Sequence, residues 1–323
     1  MGTLLAILWL VLGLAALVAG AEVMLRGAVS LAHRLGVPTF IIGLTVVAFG
    51  TSAPELAAGV GSVVKGETEL IVGTVVGSNV ANIGLVLGIA ALIRPARVRA
   101  AVVRREVPVM IGVSILFIFA MLGGAVTRLD AMLLLLGMAV FLTWAIYSSR
   151  HLDAGDAAIV IEAEQEELAE GRPRVSMRRS IVLVVLGLGL MVLGSDRAVE
   201  GAREIAVALG VPSFIIGLTL VAFGTSLPEV VTSVVAALRG QSDIAVGNVL
   251  GSNIFNVLAV IGACAALDTL TVPDAVLARD AWVMLGFAVV LLPVMLTRFV
   301  ITRAEAALLL AGYAAYVVVL ALA

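Results

Sequence analysis

Charged residues are scarce in this 323-residue chain: Asp, Glu, Lys and Arg make up 13% of it, against 62% hydrophobic residues and a mean hydropathy of +1.20. A soluble domain needs a charged surface, so the shortage excludes a water-exposed globule and makes the bilayer the solvent. Cysteine occurs once, as Cys264, which excludes an internal disulfide or a cysteine metal cluster and leaves that thiol a packing residue. The two histidines, His33 and His151, fall at expected helix ends or in loops. Neither they nor paired intramembrane aspartates furnish the nucleophile and base of a hydrolase, so the chain is not expected to be an enzyme. Segments of alternating polarity, the mark of a membrane β-barrel, are also lacking. No nucleic-acid partner and no cofactor are expected.

Apolar stretches follow one another at the length of roughly 20 residues that spans the hydrocarbon. Their expected bounds are 3–32, 39–64, 70–93, 104–123, 129–149, 180–208, 213–238, 244–267, 279–296 and 304–322. The fold class is therefore an all-α membrane protein with ten transmembrane helices. The first run is too long for a signal-peptide core and has no basic region before it, so it is read as a retained helix. Basic residues collect on alternate loops. Arg34, then Arg94, Arg97, Arg99, Arg104 and Arg105, then Arg150, Arg172, Arg174, Arg178 and Arg179, then Arg239, Arg298 and Arg303 fall on one side, and Lys65, Arg128 and Arg279 on the other. Cytoplasmic loops hold the excess of Lys and Arg, so both termini are expected outside and the central loop inside. High Ala and Arg usage points to a prokaryotic plasma (inner) membrane.

The chain repeats itself. VPTFIIGLTVVAFGTSAPEL at 37–56 returns as VPSFIIGLTLVAFGTSLPEV at 211–230, an offset of 174 residues. At the same offset GSNVAN (77–82) becomes GSNIFN (251–256), and Gly20 aligns with Gly194, Glu22 with Asp196 and Gly27 with Gly201. Ungapped polar, Pro and Gly matches across two motifs are not chance agreement between apolar helices. Residues 1–149 form the first five-helix repeat, 150–179 a cytoplasmic linker and 180–323 the second repeat. An odd number of spans per repeat makes the second enter the membrane from the opposite side, so the repeats are inverted. Secondary transporters are built this way, with broken helices and a site near the midplane. The linker residues Glu162, Glu164, Glu166, Glu167 and Glu170 read as a solvated stretch, too short for a folded regulatory domain.

Thr51-Ser52-Ala53-Pro54-Glu55 lies within the second span and Thr225-Ser226-Leu227-Pro228-Glu229 within the seventh, both near mid-membrane. A carboxylate there costs ~2.5 to 3.5 kcal/mol on insertion scales, so an intramembrane Glu marks function by default. Pro54 has no N–H for the carbonyl of Gly50, nor Pro228 for that of Gly224, so each helix is expected to kink and free backbone oxygens for a cation. Thr51, Ser52, Thr225 and Ser226 add hydroxyl oxygens within a turn. Calcium takes roughly 6 to 8 oxygens, and two bidentate glutamates with one oxygen from each threonine supply about six while balancing its charge. Sodium, equally hard but with half the charge, suits the same pocket several ions at a time, using Ser and Asn oxygens at its rim.

Ser78 with Asn82, and Ser252 with Asn256, are spaced i, i+4 and share a helix face. Small polar residues also pack membrane helices together, the plainer reading for Asn79 and Asn253. For Glu55 and Glu229 the plainer reading is a protonated pair holding the halves together, and the repeat, prolines and hydroxyls weigh against it. Glu22 and Asp196 are assigned to local ion pairing near helix ends: Arg26 follows Glu22 at i+4, and Arg203 follows Glu200 at i+3.

The doubled GTSxPE and GSNxxN motifs resemble the two α-repeats of the cation/calcium antiporter superfamily, particularly its sodium/calcium exchanger branch, over nearly the whole chain. The resemblance implies a central site built from spans two, three, seven and eight, and exchange of about three Na+ for one Ca2+ by alternating access. Carried across residue by residue, Glu55, Glu229, Thr51 and Thr225 would bind Ca2+. Sodium would share the glutamates and use Ser52, Ser226, Ser78, Ser252 and the carbonyls of Ala48 and Ala222, with Asn82 and Asn256 completing the ring. The long first and sixth spans resemble the pair that slides across the core. Some members, potassium-dependent exchangers among them, carry Asp where Asn256 stands, which argues against K+ dependence. Proton-coupled calcium exchangers carry His after the motif glutamate, where this chain has Leu56 and Val230, so sodium coupling is expected. A glutamate that takes up a proton loses the charge that holds the cation, so acid pH is expected to inhibit. The rival from another class is a cation channel, since carboxylates and carbonyls also build selectivity filters.

Overall fold

The protein, as a computed structural model, is described over residues 3–150, 176–210 and 222–322. Helices run in the order α1 (Thr3–Leu35), α2 (Thr39–Lys65), α3 (Thr68–Ile93), α4 (Ala100–Met121), α5 (Arg128–Arg150) and α6 (Met177–Ala208). Then come α7, in the described pieces Ala222–Thr225 and Leu227–Leu238, α8 (Ser242–Leu267), α9 (Val276–Leu296) and α10 (Arg303–Leu322). Eight of the described helices are long and apolar enough to cross a membrane. The linker residues 151–175, with His151, Arg172, Arg174 and the acidic run, and residues 211–221, which open the second copy of the long motif, lie outside the described residues.

Helix bounds extend past the expected ones wherever charge interrupts the apolar run. The fourth span, expected from 104, starts at Ala100 and carries Arg104, Arg105 and Glu106 in its first turns. The sixth, expected from 180, starts at Met177, where the Ser176 side chain accepts the Arg179 N–H at 3.3 Å. Hydropathy stops at a charge, but helical hydrogen bonding does not, and long basic side chains reach the interface from inside the helix. Left-handed glycines terminate helices at matching places: Gly36 and Gly210, then Gly66 and Gly240, each pair 174 residues apart, with φ between 65° and 78°.

The long helices α1 and α6 pack antiparallel with their backbones nearly touching. A Cβ on Gly13 would stand 2.6 Å from the Gly194 carbonyl oxygen, and one on Gly20 would stand 2.7 Å from that of Gly187. Gly27 meets Ser180 and Gly201 meets Ala6 in the same register, so glycine recurs every seven residues along both contact faces. In lipid no hydrophobic force joins helices, and close backbone packing through small residues supplies the attraction instead.

Behind this pair, α3 and α8 form the buried centre, flanked by α2, α4, α9 and part of α10. Gly43, Gly247 and Gly251 let α2 lie against the backbone of α8. Both central helices widen into a π-helical turn at the same place in the repeat, Asn82–Leu87 in α3 and Asn256–Ile261 in α8. Such turns often mark functional sites, because the extra residue re-aims a side chain. Four two-residue strands tie loops together at the two ends: β1 (Ala96–Arg97) pairs with β4 (Val300–Ile301), and β2 (Ala125–Val126) with β3 (Leu270–Thr271), both antiparallel. The apolar pattern of the sequence gives no sign of these ladders.

Candidate functional site

Proline sets the local geometry. α2 leaves helical form at Ser52 (φ −84°, ψ 2°) and α7 at Ser226 (φ −87°, ψ 0°), each two residues before a proline that starts the next helical piece. The bends place Glu55 and Glu229 in the first turn after the break, halfway along each motif-bearing segment. Glu55, Glu229, Thr51, Ser52, Ser226, Ser78, Ser252, Asn82, Asn256 and Ala48 are all buried, and Thr225 is half-buried. Ala222 opens the first described turn of α7, and its side chain lies outside the described set.

The two motifs grip each other crosswise. Ser52 Oγ donates to Glu229 Oε1 at 3.2 Å, and Ser226 Oγ donates to Glu55 Oε1 at 3.3 Å. Each serine therefore serves the carboxylate of the other motif, although a glutamate of its own motif follows three residues later. Ser226 also lies 3.2 Å from Ser78 Oγ, and Thr51 Oγ1 lies 3.5 Å from Ser252 Oγ, which brings in α3 and α8. The Thr225 hydroxyl is in reach of Glu55, and Thr51 and Ser252 are in reach of Glu229.

Several buried polar atoms in this cluster have no hydrogen-bond partner: Glu55 Oε2, Glu229 Oε2, both side-chain polar atoms of Asn82, and Asn256 Oδ1. An unmet buried polar atom costs about 1 to 3 kcal/mol, so their convergence is a strong departure from ordinary packing. The donor set is entirely oxygen from two carboxylates, hydroxyls and amides, the chemistry of a hard cation. Among the described residues there is no group of three or more His, Cys, Asp or Glu placed to hold a metal ion.

Two sequence expectations need correction. The carbonyl of Gly224, freed by Pro228, does not face the carboxylates: it accepts Ser195 Oγ from α6 at 2.7 Å. A hydroxyl on the neighbouring helix captured the acceptor first. Glu200 pairs with Arg197 at 2.9 Å instead of Arg203, and Glu22, besides Arg26 at 2.8 Å, pairs with Arg239 at the end of α7. The carbonyl of Ala48 already accepts the Ser52 N–H at 3.0 Å and the Thr51 hydroxyl at 3.3 Å. The Ser52 N–H thus takes one of its lone pairs, and the second is open to a cation when the Thr51 hydrogen points to another acceptor.

Comparison with known proteins agrees with this geometry. The profile of the family described as sodium/calcium exchanger protein matches residues 5–147 and 179–322, nearly the whole chain. The chain belongs to the sodium/calcium exchanger family. Among its relatives, the sodium/calcium exchanger MaX1 of Methanosarcina acetivorans is 32% identical, covering 96% of this chain and 97% of that one. The putative antiporter CaxA of Alkalimonas amylolytica is 36% identical over 97% and 98% of the two chains. A solved structure of the sodium-calcium exchanger NCX_Mj superposes with a TM-score of 0.84 at 28% identity, covering 99% of this chain and all of that one. The protein is thus a multi-pass membrane protein of a transporter family, and Na+ and Ca2+ are the ions its family moves.

Sequence reasoning passed over other polar residues of this cluster. Asn79, read as a packing residue, accepts Asn256 Nδ2 at 3.1 Å on its Oδ1 and donates to the carbonyl of Asn253 at 3.2 Å. Asn248 and Ser233, not singled out at all, stand behind Thr51. Their only sequence signal was a polar residue inside a helix otherwise free to be apolar.

Proposed function

We propose that the chain is a secondary active antiporter that exchanges Na+ for Ca2+ by alternating access, built from ten spans in two inverted five-helix repeats. The observation that carries this reading is the reciprocal Ser52–Glu229 and Ser226–Glu55 bonding, which draws two carboxylates from matching motifs together inside the apolar interior. Two negative charges balance one Ca2+. Glu55 and Glu229 serve as its bidentate ligands, with Thr51 and Thr225 supplying one oxygen each. When Ca2+ leaves, Na+ takes the same glutamate oxygens together with Ser52, Ser226, Ser78 and Ser252, and Asn82 and Asn256 complete the ring. Because both ions need the same carboxylates, binding is competitive, and competition at one site is what couples their movements. At about three Na+ per Ca2+, each cycle moves one net charge, worth ~2.3 kcal/mol per 100 mV of membrane potential. Leu56 and Val230 beside the glutamates offer no proton acceptor, which favours sodium over proton coupling.

The glycine-lined pair α1 and α6 is the moving element, with termini outside and the linker in the cytoplasm of a prokaryotic inner membrane. The test is 45Ca2+ uptake into proteoliposomes loaded with Na+. Wild-type protein should accumulate Ca2+ only with Na+ on the opposite face, and Glu55→Gln or Glu229→Gln should abolish uptake while the purified protein stays monodisperse. Ca2+ entry without a counter-ion would establish a channel instead, and normal exchange in both variants would remove the carboxylate mechanism.

A further inference from the structure

Asn248 lies one helical turn before Ser252 on α8 and is completely buried. Its Oδ1 accepts Thr51 Oγ1 at 3.0 Å, and its Nδ2 donates to Ser233 Oγ on α7 at 3.2 Å. Ser233 is also fully buried, so the three residues form a closed chain from α7 through α8 to α2. No ion role falls on Asn248 or Ser233 in the reading above.

The Thr51 hydroxyl has one hydrogen and several acceptors around it: Asn248 Oδ1 at 3.0 Å, the Ala48 carbonyl at 3.3 Å, Ser252 Oγ at 3.5 Å, and the nearby Glu229 carboxylate. Which acceptor holds that hydrogen decides what a cation meets. If Glu229 holds it, a carboxylate lone pair is blocked and the threonine oxygen is turned by its own bond. If Asn248 holds it, both the carboxylate and the hydroxyl lone pairs stay open toward the ion. Asn248 is itself fixed, because its amide nitrogen is tied to Ser233 and the side chain cannot swing away.

We propose that Asn248, braced by Ser233, is a positioning residue for cation binding: it accepts the Thr51 hydrogen bond and so keeps Thr51 and Glu229 as open oxygen ligands. The inference rests on Thr51 and Glu229 being ion ligands. It also makes the two halves unequal. At the positions 174 residues earlier stand Thr74, whose hydroxyl donates to the Leu70 carbonyl at 2.7 Å, and Gly59, which has no side chain. The Asn–Ser pair that stands behind Thr51 is therefore replaced by Thr74 and Gly59 at the matching positions of the other half.

The test uses full-length protein in Na+-loaded proteoliposomes, with 45Ca2+ uptake measured against Ca2+ concentration. Asn248→Leu, close in volume but without an acceptor, should raise the half-saturating Ca2+ concentration about tenfold, equivalent to 1.4 kcal/mol, and leave the maximal rate nearly unchanged. Asn248→Asp, which keeps an acceptor oxygen toward Thr51, should recover most of the affinity. Thr51→Val combined with Asn248→Leu should be no worse than Thr51→Val alone, because Asn248 acts through Thr51. Should Asn248→Leu fail to purify as a monodisperse protein, Ser233→Ala, which removes only the brace, should raise half-saturation by about threefold, a fraction of the full hydrogen bond. An unchanged half-saturation, a loss confined to the maximal rate, or effects that multiply in the double variant each overturn the proposal. Wild-type protein that shows no exchange sinks the antiporter reading instead, and exchange that is indifferent to Asn248→Leu sinks this inference alone.

Discussion

Ser52 reaches Glu229 at 3.2 Å and Ser226 reaches Glu55 at 3.3 Å, one bond made twice at positions 174 residues apart. A shell further out, the matching stops. Glu22 of α1 pairs with Arg239 at the end of α7, but Asp196 and Lys65, their counterparts, share no ion pair: Asp196 faces Arg197 at 3.7 Å and Lys65 is exposed. Ser195 holds the Gly224 carbonyl, whereas the residue facing its counterpart Gly50 is Leu188, and Ala21 stands where a second serine would be needed. Asn256 is held by Asn79, whereas the polar atoms of Asn82 have no partner.

The inner shell of the cluster and the frame around it thus obey different rules. The buried oxygen donors of the cluster repeat with the sequence. In the alternating-access cycle proposed above the frame is unequal, because a transporter with two equivalent halves closes only one end at a time. Here the C-terminal half of α1 is packed against α7, with Met24, Leu25, Ala28 and Ala32 buried beside Val235, Ala236 and Ala237. The matching half of α6 is more exposed, and Asp196 and Arg203 lie on its surface. Exposed ion pairs contribute at most about 1 kcal/mol, so Glu22–Arg239 marks this asymmetry more than it sustains it.

The strongest way to break this comparison is to make the formed pair permanent. Glu22→Cys with Arg239→Cys should cross-link under oxidation and reduce exchange to background, with recovery on reduction, read as 45Ca2+ flux. Asp196→Cys with Lys65→Cys should cross-link poorly in the same ionic condition. Equal cross-linking of both pairs would mean that the asymmetry is not conformational. A smaller effect should separate the two asparagines. Asn256→Ala removes the hydrogen bond to Asn79 and should lower the thermal midpoint of the purified protein, by the ~1 kcal/mol of one hydrogen bond. Asn82→Ala removes no internal bond, so it should leave the midpoint in place and act only on ion affinity. Equal melting shifts would erase the distinction. The smallest change expected is for Ser195→Ala, which removes the hydrogen bond to the Gly224 carbonyl, worth about 0.5 to 1.5 kcal/mol, readable as a shift in the share of molecules labelled from each side at an engineered cysteine. Introducing Ala21→Ser should shift that share the opposite way.

Much of the site was legible in advance because the relevant signals are local. A Pro-Glu pair inside an apolar run is improbable, and finding it twice in register named Glu55 and Glu229 before any fold was known. The i, i+4 spacing of Ser78 with Asn82 and of Ser252 with Asn256 set each pair on one helix face, and all four are buried. Asn79 and Asn248 were harder. Each is one amide in a helix where amides also serve as packing glue, and only the neighbour across the interface distinguishes a ligand brace from a spacer. The carbonyl of Gly224 was misjudged for the same reason: proline reveals that an acceptor is freed, not which donor claims it. The π-helical turns beginning at Asn82 and Asn256 left no periodic trace, since one extra residue is lost within a run that is apolar on every side.

By itself, the sequence determined the solvent, the number and length of the apolar runs, the doubled motif and the oxygen-rich chemistry of its polar residues. These are properties of short segments, set by hydropathy and by proline's missing N–H. Tertiary structure alone decided that each serine serves the other motif's carboxylate, that Asn79 and Asn248 join the cluster, and that Glu22 of α1 pairs with Arg239 at the end of α7 while Asp196 of α6 faces Arg197 of its own helix. A repeated sequence gives both halves the same local preferences, so it cannot say which of two equivalent arrangements the packed helices adopt; only contacts between distant segments break that tie.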